Sequence, residues 1–185
     1  NYMGMTFDED VIAAGKDANA RLFRSDYPDE FATVPFDDLG AMEKALSGGD
    51  VAAVLRGASL ATSGFPVPSD GYLPGVKALC EAHGALLVAD EVQTGLGRTG
   101  TLWAIEAWGV EPDVLVTGKG LSGGLYPIAA VVMTRAVGSF LREQGWAYVS
   151  TFGGSELGCR VASRVLEICS RPETLAHARD IAARL

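Results

Sequence analysis

Three short runs in this chain are apolar at both alternate sets of positions: Ala85-Leu86-Leu87-Val88-Ala89, Val114-Leu115-Val116 and Ile128-Ala129-Ala130-Val131-Val132-Met133. A strand with one wet face alternates apolar and polar residues, whereas runs like these need cover on both faces, as in parallel sheets flanked by helices. Helix-patterned stretches accompany them. Gly71 to His83 reads as a helix capped by Gly84, Trp103 to Trp108 as a short helix, and Leu157 to Ser170 and Glu173 to Leu185 as helices with Pro172 at a helix start between them. Ala52-Ala53-Val54-Leu55 reads as a further strand, and Thr62 to Asp70 as a connecting loop rather than a domain linker. The pattern predicts a three-layer α/β fold with a mostly parallel sheet, in which Gly84 to Asp90, Asp113 to Thr117 and Ile128 to Met133 are buried strands.

In an open parallel sheet, ligands gather at the carboxyl ends of the strands. Two chemically active residues fall at such ends: Asp90 after the first apolar run, and Lys119 after the second, within Thr117-Gly118-Lys119-Gly120-Leu121-Ser122-Gly123-Gly124. The connection between them is long enough for a crossover between parallel strands. A glycine-wrapped lysine after a buried strand should present its amine where water is scarce; desolvation disfavours the ammonium and leaves a nucleophile suited to Schiff-base chemistry. Its bland alternative is a surface-loop lysine among turn glycines. The other lysines, Lys16, Lys44 and Lys77, read as ordinary solvated charges. Asp90 needs a partner if buried, and a protonated pyridine nitrogen would serve; a helix N-cap or a salt bridge to Arg98 would serve as well.

Charge narrows the partners. A formal net charge of −8, without a run of Lys and Arg, opposes nucleic-acid or anionic-membrane binding. No uncharged apolar run reaches the length of about 18 residues expected of a membrane-spanning helix, so the reading is a soluble protein with a sizeable core. Cys80, Cys159 and Cys169 make no CxxC pair and fall on helix patterns as buried thiols, and two histidines offer no metal cluster, so the expected compartment is the reduced cytoplasm. His83 suits a helix C-terminus, and Trp103 and Trp108 suit the core.

Two nucleotide-binding patterns have look-alikes here. Gly95-Leu96-Gly97-Arg98-Thr99-Gly100 matches G-x-G-x-x-G, but Glu91-Val92-Gln93-Thr94 intervene after the strand where a tight dinucleotide-binding turn has no room, and no long helix follows directly. Thr117-Gly118-Lys119-Gly120 is not a P-loop, because Asp113 stands where the first glycine belongs and Gly120 where a magnesium-binding hydroxyl belongs.

Leu86 to Gly100, then Gly118 to Pro127, then Ser150-Thr151-Phe152-Gly153-Gly154 together resemble class III aminotransferases that use pyridoxal phosphate (PLP), with the ornithine, acetylornithine and 4-aminobutyrate enzymes nearest. The resemblance implies the large-domain core of PLP-dependent fold type I. It implies that Lys119 forms the Schiff base and shuttles a proton, and that Asp90 holds the pyridinium. Gln93 would hydrogen-bond the cofactor's phenolic oxygen, unless it merely caps the loop. Thr151 would reach a phosphate in the neighbouring subunit of a homodimer; a hydroxyl beside Gly153-Gly154 is also an ordinary turn former. Tyr2 matches an aromatic stacked on the pyridine face, with a packed core aromatic as the alternative. Arg98 matches a family arginine whose role can be to hold the turn or pair Asp90 or Glu91. The implied reaction moves an amino group from an amine or amino acid to a 2-oxo acid or aldehyde; amine-shifting, epimerising or decarboxylating chemistry would use the same residues.

Departures from the family pattern are local. Arg56-Gly57-Ala58 and Thr62-Ser63-Gly64 stand where the family has glutamates, at the positions of Gly57 and Thr62, and Met3 follows Tyr2 where histidine is usual. The resemblance further implies that residues 1–170 are large-domain core and 171–185 the start of a small domain or a connecting helix. On the family pattern this is a middle piece, lacking an upstream glycine-rich phosphate loop, and a degenerate domain that retains only the fold is the non-enzymatic alternative.

Overall fold

A computed structural model describes residues 31–59, 64–145 and 150–184. In chain order the elements are α1 (Leu39–Leu46), β1 (Ala53–Gly57), α2 (Tyr72–His83), β2 (Leu86–Asp90), β3 (Val114–Thr117), β4 (Ala130–Met133), α3 (Arg135–Glu143), α4 (Glu156–Cys169) and α5 (Pro172–Ala182). Two 3-10 turns, Ala104–Trp108 and Lys119–Ser122, precede and follow β3. The four strands lie in the order β1-β2-β3-β4, with β1, β2 and β3 parallel. The expected mostly parallel sheet with flanking helices is therefore present.

The helices start and stop for local reasons. In α1, Asp38 caps the N-terminus by accepting from Ala41 N–H at 2.8 Å, and in α4 the Ser155 hydroxyl accepts from Gly158 N–H at 3.3 Å. Gly84 ends α2 in the left-handed region at φ 71°, where a side chain would be strained. Along α2, Tyr72, Leu73, Val76 and Cys80 fall on one stripe and are buried with Met42 and Leu46 of α1 against Leu87 and Ala89 of β2. Trp103 and Trp108 pack on the edge of this core, as expected. Burial pushes the Cys80 thiol pKa up, so it behaves as a small apolar side chain. Arg56 of β1 lays its guanidinium over Phe36 and Tyr72, 4.6 and 5.6 Å from the ring centroids, which joins the segment before α1 to the edge of the sheet.

Three expectations change. β4 is antiparallel to β3, and Val131 and Val132 are each 56% exposed. The connection 118–129 contains a 3-10 turn but no crossover helix, so the chain returns from the same edge at which it left β3. The helical cover is also uneven. Register partners share a face, so Val54, Leu87, Ala89, Leu115, Thr117, Ala130 and Val132 point to one side, that of α2 and α4. The other side carries Leu55, Val88, Val116 and Val131. Leu55 is 44% exposed there, and among the described residues this second flanking layer is incomplete. Third, Cys159 is exposed and Cys169 half-buried, because α4 buries Gly158 and Ala162 instead.

Lys77 is not the solvated charge its helix pattern suggested. Its Nζ lies 3.0 Å from both carboxylate oxygens of Asp113, and Asp113 Oδ2 also accepts from Leu87 N–H at 2.8 Å. Both side chains are about one-fifth exposed, at 20% and 21%. The cluster ties α2, β2 and the start of β3 together at the amino ends of the strands. Burial alone would raise the Asp113 pKa, but the Leu87 N–H and the Lys77 ammonium overcome it and hold the carboxyl below its usual range. Burial likewise opposes the Lys77 charge, and Asp113 together with Glu81, 3.4 Å from Nζ, more than offsets that, so the ammonium is held above its usual range.

Asp113→Asn should therefore destabilise the protein by about 1–3 kcal/mol at neutral pH. A depressed carboxyl stabilises above its unfolded-state pKa of about 4 and loses that contribution as pH falls through the folded value. Urea denaturation should accordingly show the wild-type advantage at pH 7 and its shrinkage at pH 3. The raised Lys77 contributes below the unfolded lysine value of about 10.4 and fades at higher pH.

Candidate active site

β2 and β3 end at the same edge of the sheet, where Asp90 pairs in register with Val116. The chain then turns differently after each strand. After β2, Asp90 Oδ1 accepts from Val92 N–H at 2.9 Å and starts the turn Glu91–Gly95. After β3, Gly118 is extended and Lys119 takes φ 41°, in the left-handed region, at the start of its 3-10 turn. That region disfavours residues with a side chain by about 1–2 kcal/mol. The Leu121 N–H donating to Gly118 C=O at 2.9 Å closes the turn.

These turns bring two of the predicted residues into contact: Lys119 Nζ donates to Gln93 Oε1 at 2.9 Å. With Asp90 at the adjoining strand end, an amine, an amide and a carboxylate share one edge. Lys119 and Gln93 are exposed and Asp90 is half-buried. The water-poor setting expected for Lys119 is thus not formed by the described residues, since no described element covers this edge of the sheet. Thr151 lies in an exposed bend, and among the described residues no hydrogen bond joins it to Asp90, Gln93 or Lys119. Tyr2 and Thr62 lie outside the described residues. Gly57, where the family pattern has a glutamate, is buried in β1 beside Asp90; a Cβ there would meet Asp90 C=O at 3.6 Å and Ser59 C=O at 3.3 Å.

Two buried polar residues escape a reading of the sequence. Glu91 is 1% exposed; its Oε2 accepts from the Thr94 hydroxyl at 2.6 Å and its Oε1 from Ile105 N–H at 2.8 Å. These partners occupy the Glu91 carboxylate, one of the groups that Arg98, which is exposed, was a candidate to pair. Thr117 is 2% exposed, and its hydroxyl has no hydrogen-bond partner among the described residues. A glutamate directly after a strand looks like a loop charge in sequence, and nothing in its spacing marks it as buried.

The glycines of the G-x-G-x-x-G look-alike serve close packing. A Cβ on Gly95 would sit 2.7 Å from Trp103 Cε3 and 2.8 Å from Glu91 C=O. Gly97 and Gly100 have φ 84° and 89°, and their missing side chains admit Leu175 and Arg179 of α5. Arg179 also donates to Gly100 C=O. The loop is a seat for α5 with Gln93 on its leading turn.

An alignment to the family model for class III aminotransferases spans residues 13–185. The chain belongs to the class III aminotransferase family. It is 48% identical over 91% of its length to an uncharacterized aminotransferase from Archaeoglobus fulgidus, and 41% identical over 100% to the mitochondrial ornithine aminotransferase of Rattus norvegicus. It spans 39% and 41% of the length of those two relatives. Among solved structures it is similar to a Toxoplasma gondii ornithine aminotransferase that was crystallised in the presence of oxidized glutathione and has PLP at partial occupancy at its active site. There the TM-score is 0.78 at 39% identity, covering 83% of this chain and 36% of that one. Family membership thus agrees with the motifs around Asp90, Lys119 and Thr151.

Because Gly95 leaves no room for a methyl group between Trp103 and the Glu91 carbonyl, Gly95→Ala should destabilise this class III aminotransferase chain by about 1–3 kcal/mol. Thermal unfolding of the two proteins side by side measures it.

Proposed function

We propose that this chain carries the cofactor-bearing part of a PLP-dependent enzyme that transfers an amino group from an amine or amino acid to a 2-oxo acid or aldehyde. The observation that carries the reading is the 2.9 Å hydrogen bond between Lys119 Nζ and Gln93 Oε1, made at the strand end next to Asp90. The donor set fits the cofactor: a primary amine for its carbonyl, an amide for its ring oxygen and a carboxylate for a protonated ring nitrogen. When bound, PLP supplies a covalent handle for the amine and a ring that takes up electron density from the substrate carbon.

In this reading Lys119 would hold the cofactor through Nζ and would accept and return a proton at that atom. Asp90 keeps the ring nitrogen protonated by pairing with it, which preserves the electron-withdrawing character of the ring. Gln93 orients the ring through its oxygen substituent. Thr151, exposed before the glycine pair Gly153-Gly154, would reach a phosphate of a second copy in a homodimer, and the family pattern assigns Tyr2, outside the described residues, to the ring face. Residues 171–185 are assigned either to the start of a small domain or to a connecting helix. No helix among the described residues is long and apolar enough to cross a membrane.

Borohydride reduction of the protein with PLP should attach the cofactor to the Lys119 peptide, detected by mass spectrometry, and Lys119→Ala should abolish the attachment. Activity of that variant should fall by at least about 10²–10⁴-fold. Donor without acceptor should release one oxo product per bound cofactor. Carbon dioxide, an epimer or a migrated amine in its place would replace transfer by the corresponding chemistry. Failure of the wild type to retain the cofactor after reduction would sink the reading.

A further inference from the structure

Gln93 occupies the exposed tip of a turn whose base is buried, and the base is made by a residue with no part in the chemistry above. Glu91 N–H donates to Val116 C=O at 2.8 Å, extending the β2–β3 ladder one residue past Asp90. Its own C=O accepts from Gly95 N–H at 3.1 Å, closing the turn around Gln93. Its carboxylate then bridges inward and onward, with Thr94 on one oxygen at 2.6 Å and Ile105 N–H on the other at 2.8 Å. The group is 1% exposed, and the residue that donates the hydroxyl is 6% exposed. In such a setting each contact is short, directional and costly to lose, since the donors left behind have no water to turn to.

Resting on the functional reading above, we propose that Glu91 is a positioning residue of this site: its buried carboxylate, clamped between Thr94 and Ile105, fixes the turn that holds Gln93 against Lys119. The opposing turn at Lys119 is closed by its own backbone, so the 2.9 Å contact depends on the placement of the Gln93 turn. Displacement of a catalytic contact by about 1 Å can cost on the order of 10²-fold in rate.

The test pairs variants that break the clamp with variants that keep it. Thr94→Val retains the side-chain shape and removes the donor; Thr94→Ser restores the hydroxyl. Glu91→Ala removes both contacts and can fail to fold, whereas Glu91→Gln keeps an acceptor for Ile105 and a polar partner for Thr94. In the PLP-loaded protein, Thr94→Val should lower kcat by about 10–100-fold, with KM within about 3-fold of wild type. It should also move the pH midpoint of the cofactor's visible absorbance by at least about half a unit. Without cofactor, hydrogen exchange at the Gly95 amide should accelerate about 10-fold. Thr94→Ser and Glu91→Gln should return all three towards wild type. A Thr94→Val protein that melts earlier but keeps the wild-type midpoint and kcat, or a Thr94→Ser protein no better than Thr94→Val, overturns the inference. A wild type that fails borohydride trapping overturns the functional reading and this inference with it; where the wild type is trapped, a negative result in the variants counts against the role of Glu91 alone.

Discussion

Val88, Ala89 and Asp90 run parallel to Val114, Leu115 and Val116, and parallel neighbours deliver their carboxyl ends to the same edge of a sheet. From that pairing follow the adjacency of Asp90 and Lys119 and the meeting of the turns that carry Gln93 and Lys119. Both ends of the ladder are reinforced by carboxylates. At the amino end Asp113 accepts from Leu87 N–H and holds Lys77. At the carboxyl end Glu91 prolongs the ladder through Val116 and anchors the turn beyond it. A slip of one residue would flip every side chain of one strand to the other face and separate the two turns, so the packing of Leu87 and Ala89 under α2 also sets the site.

The loop after β2 combines two demands that usually conflict. It must present Gln93 to solvent at the strand edge and still be held rigidly. Glycines at 95, 97 and 100 allow Trp103, Leu175 and Arg179 to approach the backbone itself, and the Glu91 carboxylate satisfies the buried donors of the turn. The pattern that imitates a dinucleotide-binding loop is thus accounted for by packing, with Leu175 and Arg179 of α5 resting on Gly97 and Gly100. Joining α5 to the loop also means that the last described helix contacts the element that bears Gln93.

The edge bearing Lys119 is open, and the sheet face with Leu55 and Val131 is only partly covered among the described residues. Both observations agree with a chain that spans about two-fifths of the length of its curated relatives, at 39% and 41%. The described residues contribute the amine's position and its amide partner.

Much of this architecture is legible in the order of the amino acids. The two-sided apolar runs specify buried strands, Gly84 and Pro172 mark helix boundaries, and the glycines around Lys119 mark it as a strand-end residue, since each of these depends on local chain chemistry. The short helices α1 and α3 are not legible in the same way, because their apolar periodicity is brief and the caps at Asp38 and Thr134 are common residues in loops. Tertiary structure alone decided the direction of β4, because an apolar run carries no sign of its polarity and the decision lay in a connection without a helix. It alone also decided which charges leave solvent: Lys77 and Glu91 look solvated in sequence, yet Glu91 is buried against Thr94 and Ile105, 3 and 14 residues away, and Lys77 is half-buried against Asp113, 36 residues away. Burial of a charge depends on whether donors and acceptors converge in space, and that convergence is created by folding.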